Sequence, residues 1–235
     1  MKIIFIIPNM TGGGTERVIS LLSEEYIRMG YKVAIMQFAG YEHAYELNER
    51  IEDFSVARRS NGNPFIFIRR LIRMRRYFKQ NPDCCIFSFC VNGAIFSVIS
   101  TFGMKRRILV AERSSPDSCK QTKLRNWAYK RTDRITFQTQ EGMTYFPNWI
   151  KSKAVVIPNP IDAAIALPHT GRRTHRIVSV GRLHAVKNHK LLFEAYADFS
   201  SDFPDYELHI YGQGELETEL KEYAGKLGIS EKVIW

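Results

Sequence analysis

No two of the four cysteines, Cys84, Cys85, Cys90 and Cys119, stand in the Cys-x-x-Cys spacing of a zinc or thioredoxin-type site. That scarcity fits a reduced, cytosolic compartment better than a disulfide framework. A secretory leader is not legible either: the apolar run that follows Lys2 ends at Pro8, too early for the core of a signal peptide, and it reads as a first strand. The one long uncharged stretch, Cys84 to Met104, has the length of a membrane span. Asn92-Gly93 places a turn inside it, and Ser97, Ser100 and Thr101 make its second half polar, so a buried strand followed by a helix is the better reading. Two phosphate-binding fingerprints are also missing. In the loop Asn9-Met-Thr-Gly-Gly-Gly14, Arg17 stands where a dinucleotide motif needs its third glycine, and Gln37-Phe38-Ala39 supplies no acid at the end of the second strand. Gly14-Thr15-Glu16 has no lysine, which excludes a P-loop. Close approach of a ligand, or a plain tight turn, remains for this loop.

The chain of 235 residues is 45% hydrophobic and 25% charged, the balance of a globular protein with a real core. Its net charge of +10 points to anionic partners: nucleic acid, an acidic membrane surface or phosphorylated small molecules. No nucleic-acid-binding motif is visible. Strand and helix patterns alternate throughout, the mark of an α/β wound fold. Strands are expected at Lys2 to Pro8, Lys32 to Phe38, Cys84 to Phe89, Arg107 to Ala111, Arg134 to Thr139 and Ala154 to Pro158. Helices are expected after the glycine loop, with Val18, Leu22, Tyr26 and Met29 on one stripe, near Ala94 to Phe102, and around Thr122 to Arg131.

Phe65 to Lys79 has six basic residues and no acid. As a helix it aligns Phe67, Leu71, Met74 and Phe78, with Arg69, Arg73 and Arg76 opposite. It is a surface helix packed on the sheet, or one whose Arg69, Arg70, Arg73 and Arg76 also rest on an anionic membrane at about 1 kcal/mol per basic residue. Both can hold together. Residues 1–162 form the first domain and 163–175 a linker of low periodicity. Residues 176–235 open a second unit: strand Arg176 to Val180, a helix marked by Leu191, Ala195 and Phe199, strand Tyr206 to Tyr211, a helical stripe Leu216, Leu220, Tyr223 and Leu227, and a strand from Lys232. Three strands and two helices make about half a wound domain, so the sequence reads as cut short there, with an edge open to a partner chain.

Chemistry concentrates at Val178-Ser-Val-Gly-Arg-Leu-His-Ala-Val-Lys-Asn188. Gly181 turns the chain out of a strand, and a helix begins soon after Lys187. Arg182 and Lys187 beside that helix start would suit a phosphate group, since free N–H groups and the dipole favour an anion. The same two residues could be solvated charges in an ordinary connection. Glu112 and Arg113 leave the end of an apolar strand, where wound sheets bind ligands, and would face the crevice of the glycine loop; a surface ion pair is the alternative.

With these pieces in place the chain resembles the retaining glycosyltransferases of family four, the glycosyl transferases group 1, of GT-B fold. The residues that carry the likeness are Gly12-Gly-Gly-Thr-Glu-Arg-Val18, Glu112-Arg113, Ile157-Pro-Asn-Pro-Ile161, Gly181-Arg-Leu183 with Lys187-Asn188, and Gly212-Gln-Gly-Glu215. The resemblance implies a complete N-terminal Rossmann-like domain plus the first half, β-α-β-α-β, of a second, and transfer of a sugar from a nucleotide-diphosphate sugar to a lipid-linked or cell-envelope glycan. By analogy Arg182 and Lys187 neutralise the donor diphosphate, Gly13, Gly14, Gly181, Gly212 and Gly214 contact the donor, and Glu112 and Arg113 lie near the acceptor. No Asp-x-Asp motif is found, in keeping with a mechanism that needs no metal or other cofactor. The family's Glu-x7-Glu pair is not found at a matching place, which puts the full donor pocket and the activity of this chain in doubt. The resemblance also implies a cytoplasmic location, at the inner face of the plasma membrane.

Overall fold

The computed structural model describes residues 1–38, 43–56, 65–113, 121–161 and 170–235. Ser114 to Pro116, Cys119 and residues 163–169 of the expected linker lie outside them. The chain divides into two compact units, Met1–Ala166 and Leu167–Trp235.

In the first unit the run Lys2–Ile7 forms strand β1, buried on both sides as its unbroken apolar sequence requires. The glycine loop leads into helix α1, Gly14–Arg28, and then β2, Lys32–Gln37. Strand β3, Glu52–Ser55, is followed by helix α2, Phe65–Gln80, strand β4, Cys84–Ser88, and helix α3, Val91–Ser100. Next come β5, Arg107–Ala111, α4, Thr122–Lys130, and β6, Arg134–Phe137. Short helices α5, Gln140–Thr144, and α6, Asn148–Lys151, precede β7, Ala154–Val156.

All seven strands are parallel, in the order β3-β2-β1-β4-β5-β6-β7. The order reverses between β1 and β4, and the glycine loop leaves the sheet beside that switch point. Alternation along β1 sorts the core into two layers. Ile3, Phe5 and Ile7 pack with Val18, Ile19 and Ile27 of α1, whereas Ile4 and Ile6 belong with Met74 and Phe78 of α2, Ala94 of α3 and Tyr129 of α4. The stripe expected on α1 ran one residue too far: Met29 caps the helix and is exposed. Phe67, expected inside, is partly exposed, although its ring lies 4.9 Å from that of Phe96.

The arginines of α2 separate into two groups. Arg70 donates to the Phe38 carbonyl at 3.1 Å and Arg73 to that of Val56 at 2.8 Å. Both bonds tie α2 to the strand ends beside it: a guanidinium that pairs a buried carbonyl acts as a clamp, because leaving that carbonyl unpaired would cost about 1–3 kcal/mol. No helix among the described residues is long and apolar enough to cross a membrane.

The second unit contains β8, Arg176–Val180, α7, His189–Asp202, β9, Glu207–Tyr211, α8, Glu217–Lys226, and β10, Val233–Ile234. These strands form a parallel sheet in the order β10-β9-β8. Ile177, Leu208, Ile210 and Val233 pack against Phe193, Tyr196, Leu220 and Ala224 of the two helices. On the other face Val178 pairs with His209 and Val180 with Tyr211, and Val178, Val180 and Tyr211 are exposed. Helix α7 buries a different stripe from the one expected: His189, Phe193, Tyr196 and Ser200 go inward, while Leu191 stays 58% exposed. The Tyr196 hydroxyl donates to the Tyr206 carbonyl at 2.8 Å, which holds the helix in that rotation.

Candidate functional site

Two loops of the second unit are joined beyond the ends of their strands. The Gly181 amide donates to Tyr211 O at 2.9 Å, the Leu183 amide to Gln213 O at 3.0 Å and the Leu216 amide to Leu183 O at 3.2 Å. Pairing begun by β8 and β9 thus continues through residues 181–183 and 211–216. It runs so close that only glycine fits: a Cβ on Gly212 would fall on the Gly181 carbonyl, and one on Gly214 on the backbone of Leu183. Leu183 is fully buried and pins the loop to the core between two exposed neighbours, Arg182 and His184. Gly181, Arg182, Lys187, Gly212 and Gly214 are in this way brought to one edge of the sheet, at the carboxyl ends of its strands.

The turn that presents Lys187 is built locally. The Val186 amide donates to His184 Nδ1 at 3.2 Å, capping a 3-10 turn over Ala185–Lys187. Asn188 then adopts the left-handed conformation (φ 49, ψ 46), which asparagine tolerates, and α7 starts at the next residue. The aliphatic stem of Lys187 lies over Gly181, 3.6 Å from where a Cβ would stand. Both basic side chains are exposed, and among the described residues neither has a carboxylate partner. Helix α7 has no acid in its first turn, so its free N–H groups and dipole add to the two cations.

His189 was not singled out by the sequence. It is buried at the first position of α7, its Nδ1 has no partner, and burial, followed by the charge of Lys187, lowers its pKa. A neutral imidazole thus sits behind the two cations; its only signal in the sequence was its place after Lys187-Asn188.

In the first unit, Gly12 takes a left-handed conformation (φ 114) and Gly14 has open space around it. The Glu16 carboxylate folds back over Gly13, whose carbonyl accepts from the Tyr45 hydroxyl at 3.2 Å. Beside the loop lies a shallow depression of about 500 Å³, lined by Tyr45, Asn48 and the His43–Asp53 pair, which meet at 2.9 Å.

Glu112 and Arg113, expected to act together, are placed very differently. Glu112 is buried: Oε2 accepts from the Tyr129 hydroxyl at 2.6 Å and Oε1 from the Arg113 amide at 3.1 Å. Burial, reinforced by that carboxylate, pushes the Tyr129 phenol far up, so it remains a donor at every working pH. Arg113 is held from the ends of two further strands. Its Nη2 donates to Asn159 Oδ1 at 2.7 Å, and Gln138, with its amide orientation assigned from the hydrogen-bond network, accepts from Nη2 and Nε at 2.9 Å. Burial lowers the pKa of Arg113, and the charge of Glu16 opposes that effect. Sequence reasoning missed Gln138 and Tyr129; Asn159 was visible only as part of Pro158-Asn-Pro160.

One stability prediction follows from this geometry. Tyr129→Phe, which removes the phenol from a buried carboxylate, is expected to lower the unfolding free energy by about 1–3 kcal/mol in urea titrations. An unchanged midpoint would show that Glu112 does not depend on that bond. Among the described residues the free thiols offer no nucleophile of note, since burial raises Cys85 and Cys90 to about 11.

Comparison with known proteins gives a consistent picture. The family described as Glycosyltransferase Family 4 matches residues 12–165, and that described as Glycosyl transferases group 1 matches residues 170–235. A Campylobacter jejuni GalNAc-alpha-(1->4)-GalNAc-alpha-(1->3)-diNAcBac-PP-undecaprenol alpha-1,4-N-acetyl-D-galactosaminyltransferase is 23% identical over 97% of this chain and 66% of its own length. Among solved structures, the lipopolysaccharide outer core galactosyltransferase WaaB superposes with a TM-score of 0.70 at 20% identity, covering 100% of this chain and 67% of that one. Anabaena HepE in complex with UDP gives a TM-score of 0.77 at 15% identity, covering 100% of this chain and 68% of that one. The chain spans about two thirds of the length of the curated relatives it matches.

Proposed function

Because the chain belongs to glycosyltransferase family 4 and has the GT-B fold, we propose that it takes part in transfer of a sugar from a nucleotide-diphosphate sugar to a lipid-linked or polysaccharide glycan, with retention of the anomeric configuration and without a metal. The observation that carries this reading is the paired edge of β8 and β9, where Arg182 and Lys187 stand exposed, without carboxylate partners among the described residues, beside the N-terminus of α7. A departing nucleoside diphosphate gains negative charge, and two fixed cations with a helix terminus stabilise it more than they stabilise the bound donor. Such cations do the work a divalent ion does elsewhere, which supports metal independence. The close backbones at Gly212 and Gly214 lock the two loops together and so fix the edge that carries Gly181 and Arg182 for the donor, and the open space at Gly14 supports a donor role for Gly13 and Gly14 as well.

On the acceptor side, Arg113 is the reactive-looking group. Its guanidinium is preset by Asn159 and Gln138, whereas Glu112 acts through Tyr129 and the Arg113 amide as a positioning residue. The undecaprenol-linked substrate in the name of the Campylobacter relative supports a lipid-linked acceptor, and therefore work at the cytoplasmic face of a membrane.

The test is transfer of radiolabel from a panel of nucleotide-diphosphate sugars to lipid-extracted acceptor. Label in the lipid phase with one donor, undiminished by EDTA, is the expected result; loss on chelation, or no label with any donor, sinks the reading. The exposed Val178, Val180 and Tyr211 favour a second reading, in which a partner chain packs on this face of the sheet. A preparation that is monomeric by light scattering and transfers sugar rules it out.

A further inference from the structure

The segment between β2 and β3 is fastened to the glycine loop. The Ala44 amide donates to Met10 O at 2.9 Å, His43 and Met10 form a parallel bridge, and the Tyr45 hydroxyl reaches Gly13 O. The depression of about 500 Å³ beside the loop is therefore built by residues 43–53 and anchored at the end of β1. Its volume falls in the range of about 300–1,000 Å³ usual for small-ligand sites.

Charge sets this depression apart. The chain has a net charge of +10, yet the depression is lined by three carboxylates, Glu46, Glu49 and Asp53, with no lysine or arginine among the described residues that line it. These acids do not make a metal site: among the described residues no three acidic, histidine or cysteine side chains are grouped to hold an ion. Several of the polar groups are fixed before any ligand arrives. Asp53 meets His43 Nε2 at 2.9 Å with one carboxylate oxygen, and the other accepts from Nε2 of the buried Gln37 at 2.8 Å. Asn48 donates to Glu24 at 3.2 Å and accepts from the Arg50 amide at 3.0 Å. Apolar surface lies among them. Leu47 and Ile51 belong to the core layer of α1, and the Tyr45 ring is steadied by the Arg17 guanidinium, 5.5 Å from its centre.

We propose that this depression is a subsite for an uncharged sugar residue of the acceptor glycan, and that Glu46, Glu49 and Asp53 make it reject sugars bearing a carboxylate or a phosphate. A pyranose has apolar C–H faces and a rim of hydroxyls. The faces suit an aromatic ring and a leucine, and the hydroxyls suit preset carboxylate, amide and imidazole groups. An anionic sugar, or the diphosphate of the donor, would instead place like charges together at close range. The inference rests on the proposed transfer to a glycan in giving the sugar its source; the binding itself needs no donor.

Amide-resolved NMR titration of the full chain tests it, with the methyl glycosides of glucose, galactose, N-acetylglucosamine and N-acetylgalactosamine set against methyl glucuronide and methyl galacturonide. At least one neutral glycoside is expected to shift the amides of residues 43–53. Both uronides should bind about tenfold or more weakly than that glycoside, with the gap narrowing as salt is added. Glu46→Lys combined with Glu49→Lys should close the gap and leave the melting temperature unchanged, because both side chains are exposed. The proposal is overturned if no glycoside shifts these amides, if the uronides bind as tightly as the neutral sugars, or if the double variant keeps the parent's preference. UDP shifting the same amides would also overturn it, by placing the depression in the donor site. Sugar transfer by a chain whose residues 43–53 ignore every glycoside would remove the subsite and leave the transfer reading standing; a neutral sugar bound there without any transfer would do the reverse.

Discussion

Replacing Arg182 and Lys187 together by alanine is expected to lower kcat/KM for sugar transfer by about 10²–10⁴-fold. A hydrogen bond to a charged group contributes roughly 1.5–3 kcal/mol, two such groups are lost, and every 1.4 kcal/mol is about tenfold in rate. The loss should fall mainly on kcat, because charge accumulates on the diphosphate as the glycosidic bond breaks; a change confined to KM would mean that the two cations only bind the donor. Stability should not change, since both side chains are exposed and neither has a carboxylate partner among the described residues. A double variant that transfers within about threefold of the parent would remove the diphosphate assignment, because that ratio corresponds to less than one charge-assisted bond.

The second large effect is on folding. Gly212→Ala and Gly214→Ala should each destabilise the second unit by about 1–3 kcal/mol, because the added methyl collides with backbone that cannot swing away as a side chain would. In a unit of this size that is a fall of about 4–8 °C in melting temperature per kcal/mol. Gly14→Ala is the control: nothing lies within 4 Å of its Cβ position, and the residue opens a helix, where alanine is favoured. If all three variants melt alike, close backbone approach is not why glycine stands at 212 and 214.

Much of the fold was legible because parallel strands buried on both sides leave unbroken apolar runs. Arg107–Ala111 and Arg176–Val180 were found to the residue, and Lys2–Ile7 within one. Strand β3 was missed because Glu52-Asp53-Phe54-Ser55 is a polar edge strand; it is held by its neighbours, with Gln37 Nε2 donating to Asp53 at 2.8 Å and Lys2 to Glu52 at 2.6 Å. Helices α5 and α6 have four or five residues, too few to show a period. The face of α7 was misread because two stripes are compatible with its sequence, and the larger aromatics Phe193 and Tyr196 took the core in place of Leu191 and Ala195.

The candidate site divides along the same line. Local chemistry determined the turn at Gly181, the basic pair Arg182 and Lys187 and the helix that starts after Asn188, because backbone freedom, charge and helix periodicity act over a few neighbouring residues. The sequence by itself thus established the fold class and the basic character of α2, and it marked the edge at Gly181 as the candidate phosphate site. Tertiary structure alone decided which groups are available. Pairing residues far apart in the chain, it closed Gly212 on Gly181, buried Glu112 against Tyr129, preset Arg113 with Asn159 and Gln138, and tied Arg70 and Arg73 to the carbonyls of Phe38 and Val56. The physical reason is that a charged or polar side chain goes to whichever buried partner the fold brings within reach, and that partner is set by strand order and helix rotation, not by neighbours in sequence.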